Sequence, residues 1–395
     1  MPYLMSKFDD IRPYHDDEVK AVIQSLMTDT EFLDFLGKYH SPRLSRFVAP
    51  LVRIVTRSVL RRSLGNVSTI RGFQEVISDY AKRIVTETMS QFVFEGLEGL
   101  DADKAYLFVG NHRDIAGDSM LVDYALWLSG RDTVRIAVGD NLIQREFATS
   151  LMKLNKSFFI RRSEEGAKKV YAALLQSSQY IHQSIAEGAS VWIAQSEGRA
   201  KNGLDVTDPA IIKMFALAER KAPLKEIIEH LSIVPVSISY EYDPCDYLKA
   251  KELSAIDECG EYKKPDGEDL LSLVKGLGEY KGKVYLRFGH LLEGDFESPE
   301  EIANELDHQL LNNYQLYDVN YWALQQLSAN SAEEDDGDYL STWRALRGTI
   351  QLKDTAPFET RLANCPEAHR RKWLEMYANP VVNKYRSKSS RLTPV

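Results

Sequence analysis

The chain has 395 residues, of which 44% are hydrophobic and 27% charged, and it carries a formal net charge of −9. That balance fits a folded protein of two or three structural units around a real core, and the acidic total argues against a general nucleic-acid binder. No stretch approaches the roughly 18 consecutive apolar residues that a membrane-spanning helix needs.

The first residues, MPYLMSKFDDIRPYHDDE, lack the apolar core of a signal peptide, so a cytoplasmic chain is expected. From residue 16 to about 98 the spacing of apolar residues is helical, in DDEVKAVIQSLM and again in GFQEVISDYAKRIVTETMSQFVFEGL. Between them, Arg43 to Arg62 holds six arginines and no acid. Arg46, Arg53, Arg57 and Arg61 fall near one helical face, with Phe47, Leu51, Ile54, Val55 and Leu60 mostly elsewhere. Such a segment suits an anionic membrane surface; the plainer alternative is a solvated helix face interrupted at Pro50.

From 105 the pattern changes to short apolar runs separated by helical stretches. AYLFVG (105–110), VRIAVG (134–139), SFFIRR (157–162), SVWIAQ (190–195), LSIVPVSISY (231–240) and KVYLRFG (283–289) read as strands. Helices alternate with them, which predicts an α/β fold with a mostly parallel sheet flanked by helices. Asp208-Pro209 and Ser298-Pro299-Glu300-Glu301 mark helix starts, each a capping residue followed by proline. After 298 the chain reads helical to about 378, around an acidic loop SAEEDDGDY. The final NKYRSKSSRLTPV reads as a frayed basic tail. The expected organisation is a helical region 1–98, an α/β domain 99–295 and a helical region 296–395.

Ligands of open α/β folds bind at the carboxyl ends of the strands. Three predicted strand ends deliver polar side chains there: His112 with Asp114 and Asp118, Arg161 with Arg162, and Ser196-Glu197-Gly198-Arg199. The triplet His112-Arg113-Asp114 matches a kinase catalytic loop, but Ser119 stands where that loop needs asparagine, and the chain has no DFG. The set suits proton abstraction from a hydroxyl beside a bound phosphate. Histidine is a base near neutral pH, a carboxylate steadies its imidazolium, and arginine grips phosphate in a bidentate fashion. A metal site is the competing use of His and Asp, but the next histidine is His182, far along the chain. The three cysteines, Cys245, Cys259 and Cys365, lie far apart and are expected as reduced thiols.

Four blocks in order resemble the glycerol-3-phosphate and lysophosphatidate acyltransferases over about 105–250. They are Asn111-His112 with Asp118; Phe158 to Ser163; Glu197-Gly198-Arg199-Ala200-Lys201; and the strand Ile233 to Glu241 with its central Pro235. The family's aspartate falls five residues after the histidine, where this chain has Gly117, so Asp118 is the preferred partner of His112 and Asp114 the alternative. The third block is one residue short, which leaves Arg199 or Lys201 for the basic role.

The resemblance implies direct transfer of an acyl group from acyl-CoA or acyl carrier protein to glycerol-3-phosphate or a lysophospholipid. In that scheme His112 is the base, helped by Asp118 or Asp114. Arg161, Arg162, Glu197, Gly198, Arg199, Lys201 and Pro235 line the acceptor site. No metal or other cofactor is implied, no nucleic acid is a partner, and Cys245, between Asp243 and Asp246, needs no covalent role. The expected setting is cytoplasmic, with peripheral attachment to the inner face of a membrane as the further expectation. The alternative is a catalytically silent lipid or acyl-carrier binding protein on the same fold, and a metal-dependent phosphohydrolase stands third.

Overall fold

A computed structural model describes residues 7–40, 42–140, 145–265, 267–329 and 337–389. The apolar runs become seven strands: β1 (Met89–Glu95), β2 (Leu107–Gly110), β3 (Arg135–Gly139), β4 (Ser157–Ile160), β5 (Val191–Ala194), β6 (Ile233–Tyr240) and β7 (Gly282–Phe288). They form one sheet in the order β1-β7-β6-β2-β5-β3-β4. Every neighbouring pair is parallel except β6 with β7. The α/β expectation holds.

β2, β4 and β6 are buried along their whole length. A strand covered on both faces has no need of polar alternation, and this is why their sequences read as continuous apolar runs. Alternate residues still part to opposite faces. Leu107, Val109, Ile193 and Ile233 pack with Ile181, Ile212 and Leu231. Phe108, Trp192, Val234 and Val236 pack with Leu121, Val122 and Leu126 on the other side. The N-terminal helices bury Val19, Ile23, Phe32, Leu33 and Phe73 against Phe147 and Leu154. The C-terminal helices bury Trp322, Phe358, Trp373 and Tyr377 around Ala250.

Both marked helix starts are capped: the Asp208 side chain accepts from Ala210 N–H and that of Ser298 from Glu301 N–H. Three local expectations are corrected. The helix Ile70–Thr88 stops before the stretch 89–95, which was expected to continue it and is instead β1. Pairing with β7 in parallel register, with Phe92 and Phe94 packed on the core, outweighs the helical run-on. The last helix, Arg370–Ser389, runs through Pro380 and past 378. It is held because Val381 and Val382 are buried, while Lys384 Nζ donates to the carbonyls of Asn312 and Tyr314 at 3.0 and 2.6 Å. Only 390–395 of the expected frayed tail, and most of the acidic loop, lie outside the described residues.

The arginine-rich segment is the third correction. It forms two helices, Pro42–Phe47 and Ala49–Leu64, so Pro50 opens the second rather than interrupting one. Arg53 makes a two-pronged bond to Asp34 (2.6 and 2.7 Å), and Arg57 donates to the Met27 carbonyl at 2.9 Å. Both therefore turn toward the N-terminal helices. Phe47, at 82% exposure, with Leu51, Ile54, Val55 and Val59, faces outward instead. No helix among the described residues is long and apolar enough to cross a membrane.

Candidate active site

β2 ends at Gly110, and the chain then turns through residues 111–116 into the helix Gly117–Leu128. Asp118 stands in the first turn of that helix, where the dipole favours a carboxylate. The turn wraps around this side chain. Asp118 Oδ2 lies 2.8 Å from His112 Nδ1 and accepts the backbone N–H groups of Arg113 (2.7 Å) and Asp114 (2.9 Å). Its Oδ1 accepts the Tyr240 hydroxyl at 2.8 Å. Four donors thus hold one carboxylate that is only 1% exposed.

A carboxylate can only accept, so His112 Nδ1 carries hydrogen and Nε2 carries the lone pair. The ring is 16% exposed and meets Trp192 in a T-shaped arrangement, 6.0 Å between centroids and 70° between planes. Gly110 makes that contact feasible, because a Cβ there would stand 2.8 Å from Trp192 Nε1.

Asp114 does different work. Its Oδ1 accepts Ala116 N–H (3.1 Å) and Gly117 N–H (2.7 Å), so it caps the helix that carries Asp118. Burial, and the charge of Asp118 beside it, hold its carboxyl above the usual range. The backbone of Gly117 does not enter the left-handed region, so this glycine is not there to relieve a strained turn. What it supplies is room: a Cβ would lie 2.9 Å from Asp114 Oδ1 and 3.2 Å from the Tyr240 hydroxyl.

The other expected residues divide into two groups. Arg162, after β4, reaches Glu197, after β5, at 3.4 Å. Gly198 takes φ +76°, a backbone state that favours glycine, and turns the chain toward Arg199. Arg199 keeps a buried Nη1 without a hydrogen-bond partner. It lies close enough to Asp114 and Cys245 for its charge to oppose their upward pKa shifts. Ala200 N–H donates to the His112 carbonyl at 2.8 Å, which fixes this loop against the histidine turn.

Arg161 instead pairs with Asp10 at 2.9 Å, Lys201 pairs with Glu252 at 2.5 Å, and Pro235 lies inside β6 beside Val109. The side-chain pairs of Arg161 and Lys201 lead to Asp10 and Glu252 and not to His112. Cys245 is buried, and desolvation with Asp243 and Asp114 nearby pushes its thiol up to about 12. It has no thiolate character near neutral pH.

Several supporting residues were given no role in the sequence reading. Arg113, fully buried, pairs with Asp205 at 2.5 Å, donates to the Gly203 carbonyl and lies over the Tyr314 ring at 5.2 Å. Asn111 bonds both to Asp205 and to the backbone of Ile238 in β6. Lys249, 1% exposed, donates to the Arg113 carbonyl at 2.6 Å and to Asp243. Tyr240 carried a weak signal, a phenolic hydroxyl at the end of a strand whose other side-chain hydroxyls are those of Ser237 and Ser239. For Asp205 and Lys249, 92 and 136 residues from Arg113, sequence offers none.

The family model described as Acyltransferase matches residues 91–239. Over 176 residues the chain is 33% identical to a glycerol-3-phosphate acyltransferase of Pseudoalteromonas translucida. Over 186 residues it is 30% identical to one of Baumannia cicadellinicola. Each match takes in 44% of this chain and 20% of the relative, so the chain spans about a fifth of the length of these curated relatives. The crystal structure of a 1-acyl-sn-glycerophosphate acyltransferase from Thermotoga maritima aligns over 74% of this chain and 96% of that one. The identity is 16% and the TM-score 0.37.

Proposed function

We propose that the acyltransferase-family domain over residues 91–239 moves a fatty acyl group from an acyl thioester to a hydroxyl of glycerol-3-phosphate or lysophosphatidate. The donor is carried on coenzyme A or on acyl carrier protein. The observation that carries this reading is the His112–Asp118 pair, with Nε2 left as a base, beside a buried and unpartnered Arg199 nitrogen.

In this scheme Nε2 takes the proton from the acceptor hydroxyl as the oxygen attacks the thioester carbonyl. Asp118 steadies the imidazolium that forms. Collapse of the tetrahedral adduct expels the thiolate, which regains the proton from His112, so no covalent enzyme intermediate forms. Arg199 and Arg162 hold the acceptor phosphate, since guanidinium pairs with phosphate oxygens through two parallel bonds. Glu197, 74% exposed and tied to Arg162, sets the position of that arginine. No cofactor enters the scheme. An aspartate one residue out of place would favour a silent binder, and the contact of Asp118 to His112 supports catalysis instead.

The product is a lipid, and the outward apolar face of helices 42–47 and 49–64 suits a bilayer surface. Phe47, Leu51, Ile54, Val55 and Val59 would enter the acyl boundary, with the exposed Arg46, Arg61 and Arg62 among the headgroups. Co-sedimentation with anionic vesicles tests this part. Phe47→Glu with Ile54→Glu should abolish binding, and equal binding by that variant would remove the membrane assignment.

The catalytic assignment is tested by thiol release from palmitoyl-coenzyme A or acyl carrier protein, with glycerol-3-phosphate or lysophosphatidate as acceptor. Acceptor-dependent release that disappears in His112→Ala, and whose acceptor KM rises in Arg199→Gln, is the expected result. Folded protein that releases no thiol with either donor and either acceptor would refute it.

A further inference from the structure

Far from the histidine turn, a second group of side chains converges. His182 comes from the helix Ala167–Ala186, Glu219 from the short 3-10 turn Ala216–Glu219, and His230 from the helix Leu224–Leu231. The first helix delivers the chain to the start of β5, and His230 lies three positions before the start of β6. The group therefore sits at the amino ends of the strands, whereas His112 follows the carboxyl end of β2.

His182 is 7% exposed, and its Nε2 lies 2.8 Å from the Phe215 carbonyl oxygen. A carbonyl only accepts, so Nε2 carries the hydrogen and Nδ1 presents a lone pair. That Nδ1 is buried, has no hydrogen-bond partner, and lies 3.4 Å from Glu219 Oε1. His230 Nδ1 approaches the same oxygen at 3.1 Å. One ligand atom from each of the three residues falls within 4.8 Å of the others. The His182 Nδ1 lone pair faces the Glu219 carboxylate oxygen, and the two repel one another unless a proton or a metal cation stands between them.

We propose that His182, Glu219 and His230 bind a divalent transition metal of the zinc class. Tetrahedral zinc with bonds of about 2.0–2.2 Å has ligand-to-ligand edges near 3.3 Å, and the 3.4 and 3.1 Å edges already match. Two imidazoles and one carboxylate leave the fourth position to water, and imidazole nitrogen disfavours magnesium and calcium. The surroundings orient the buried ligand as metal sites require. The Phe215 carbonyl that holds His182 also accepts Ser178 Oγ at 3.0 Å, and Ser178 Oγ in turn accepts Ala218 N–H at 3.0 Å. The side chains of His230 and Glu219 are 40% and 35% exposed, so the metal has a way in. Bound there, it staples the helix after β4 to the segment that feeds β6, a structural role that does not depend on the acyl-transfer reading.

The test uses the full chain, stripped with a chelator, dialysed, and titrated with zinc against a colorimetric zinc indicator while Tm is followed. His230→Gln and Glu219→Gln are suitable variants because both side chains are partly exposed and their loss leaves the core intact. Wild type should take up one zinc with a rise in Tm that magnesium does not reproduce. Each variant should lose more than about tenfold in affinity, together with the Tm rise. If wild type takes up no zinc, the contact is an imidazolium–carboxylate pair and the site is refuted. Equal affinity in all three proteins would place the metal elsewhere and refute it as well.

Discussion

Two aspartates stand beside His112, and replacing each by asparagine should give opposite results. In Asp118→Asn the remaining carbonyl oxygen can still receive His112 Nδ1 and the two backbone N–H groups. The new amide can face the Tyr240 hydroxyl, which rotates to accept. Geometry survives and the charge does not. A full imidazolium–carboxylate attraction across 2.8 Å is about 6 kcal/mol at an effective dielectric of about 20, an upper bound for what the transition state loses. General-base assistance as a whole contributes about 10²–10⁴ in rate, or about 3–5 kcal/mol. Asp118→Asn should therefore lower kcat/KM by a factor within that range and leave Tm nearly unchanged.

Asp114→Asn keeps the oxygen that caps Ala116 and Gly117, and the carboxyl it replaces is one that burial holds toward neutrality. Its kcat/KM should stay within a few-fold of wild type. The assay is acceptor-dependent thiol release at fixed pH, with circular dichroism to verify folding. If Asp114→Asn lost more activity than Asp118→Asn, with both proteins folded, the pairing of His112 with Asp118 would not be the catalytic one.

Asp123 is buried, accepts Val134 N–H at 2.9 Å, and has a carboxyl that desolvation raises to about 7. The native state thus holds its proton between the ordinary carboxylate range and pH 7, while the unfolded chain releases it. The cost is absent in acid and complete above about pH 7, on the order of a few kcal/mol. Asp123→Asn should raise Tm at pH 8 and lose that advantage by pH 4; the same gain at both would refute the assignment. With Cys245 pushed up to about 12 and Cys365 to about 11, both buried, and Cys259 exposed, an aromatic disulfide reagent at pH 8 should label one thiol quickly and three after denaturation. Gly203 has φ +80°, and a Cβ there would lie 2.2 Å from the Met376 carbonyl, so Gly203→Ala should destabilise by about 1–3 kcal/mol in chemical denaturation.

The sheet was legible in sequence where strands are covered on both faces, because burial itself writes the apolar run, as in β2, β4 and β6. β1 was not, since Phe92 and Phe94 continue an amphipathic helix without a break in hydrophobicity and only β7 selects the extended form. The inverted helix 49–64 was illegible for another reason. Periodicity gives two faces but not which one turns inward, and that choice rests on Asp34 and the Met27 carbonyl. At the site, His112, Asp118, Arg162, Glu197 and Arg199 follow strand ends and could be read there. Asp118 reaches His112 despite the extra residue because the turn curls around its carboxylate, a geometry no spacing rule encodes. The pairing of Lys201 with Glu252, and of Arg161 with Asp10, depends on distant chain and was beyond reach.

The matched stretch ends at 239, one residue before the end of β6, and the histidine turn is secured from beyond that point. Lys249 grips the Arg113 carbonyl and Asp243. Asp246, on the same helix, is clasped by Arg361, Trp373 and Tyr377. Residues 89–239 excised alone would leave β6 without β7, an open strand edge that invites self-association. They would also release the histidine turn from its floor. On the acyl-transfer reading, trimming the C-terminus should thus act as a substitution at the His112 turn would, and proteolysis there should abolish acyl transfer before the sheet itself comes apart.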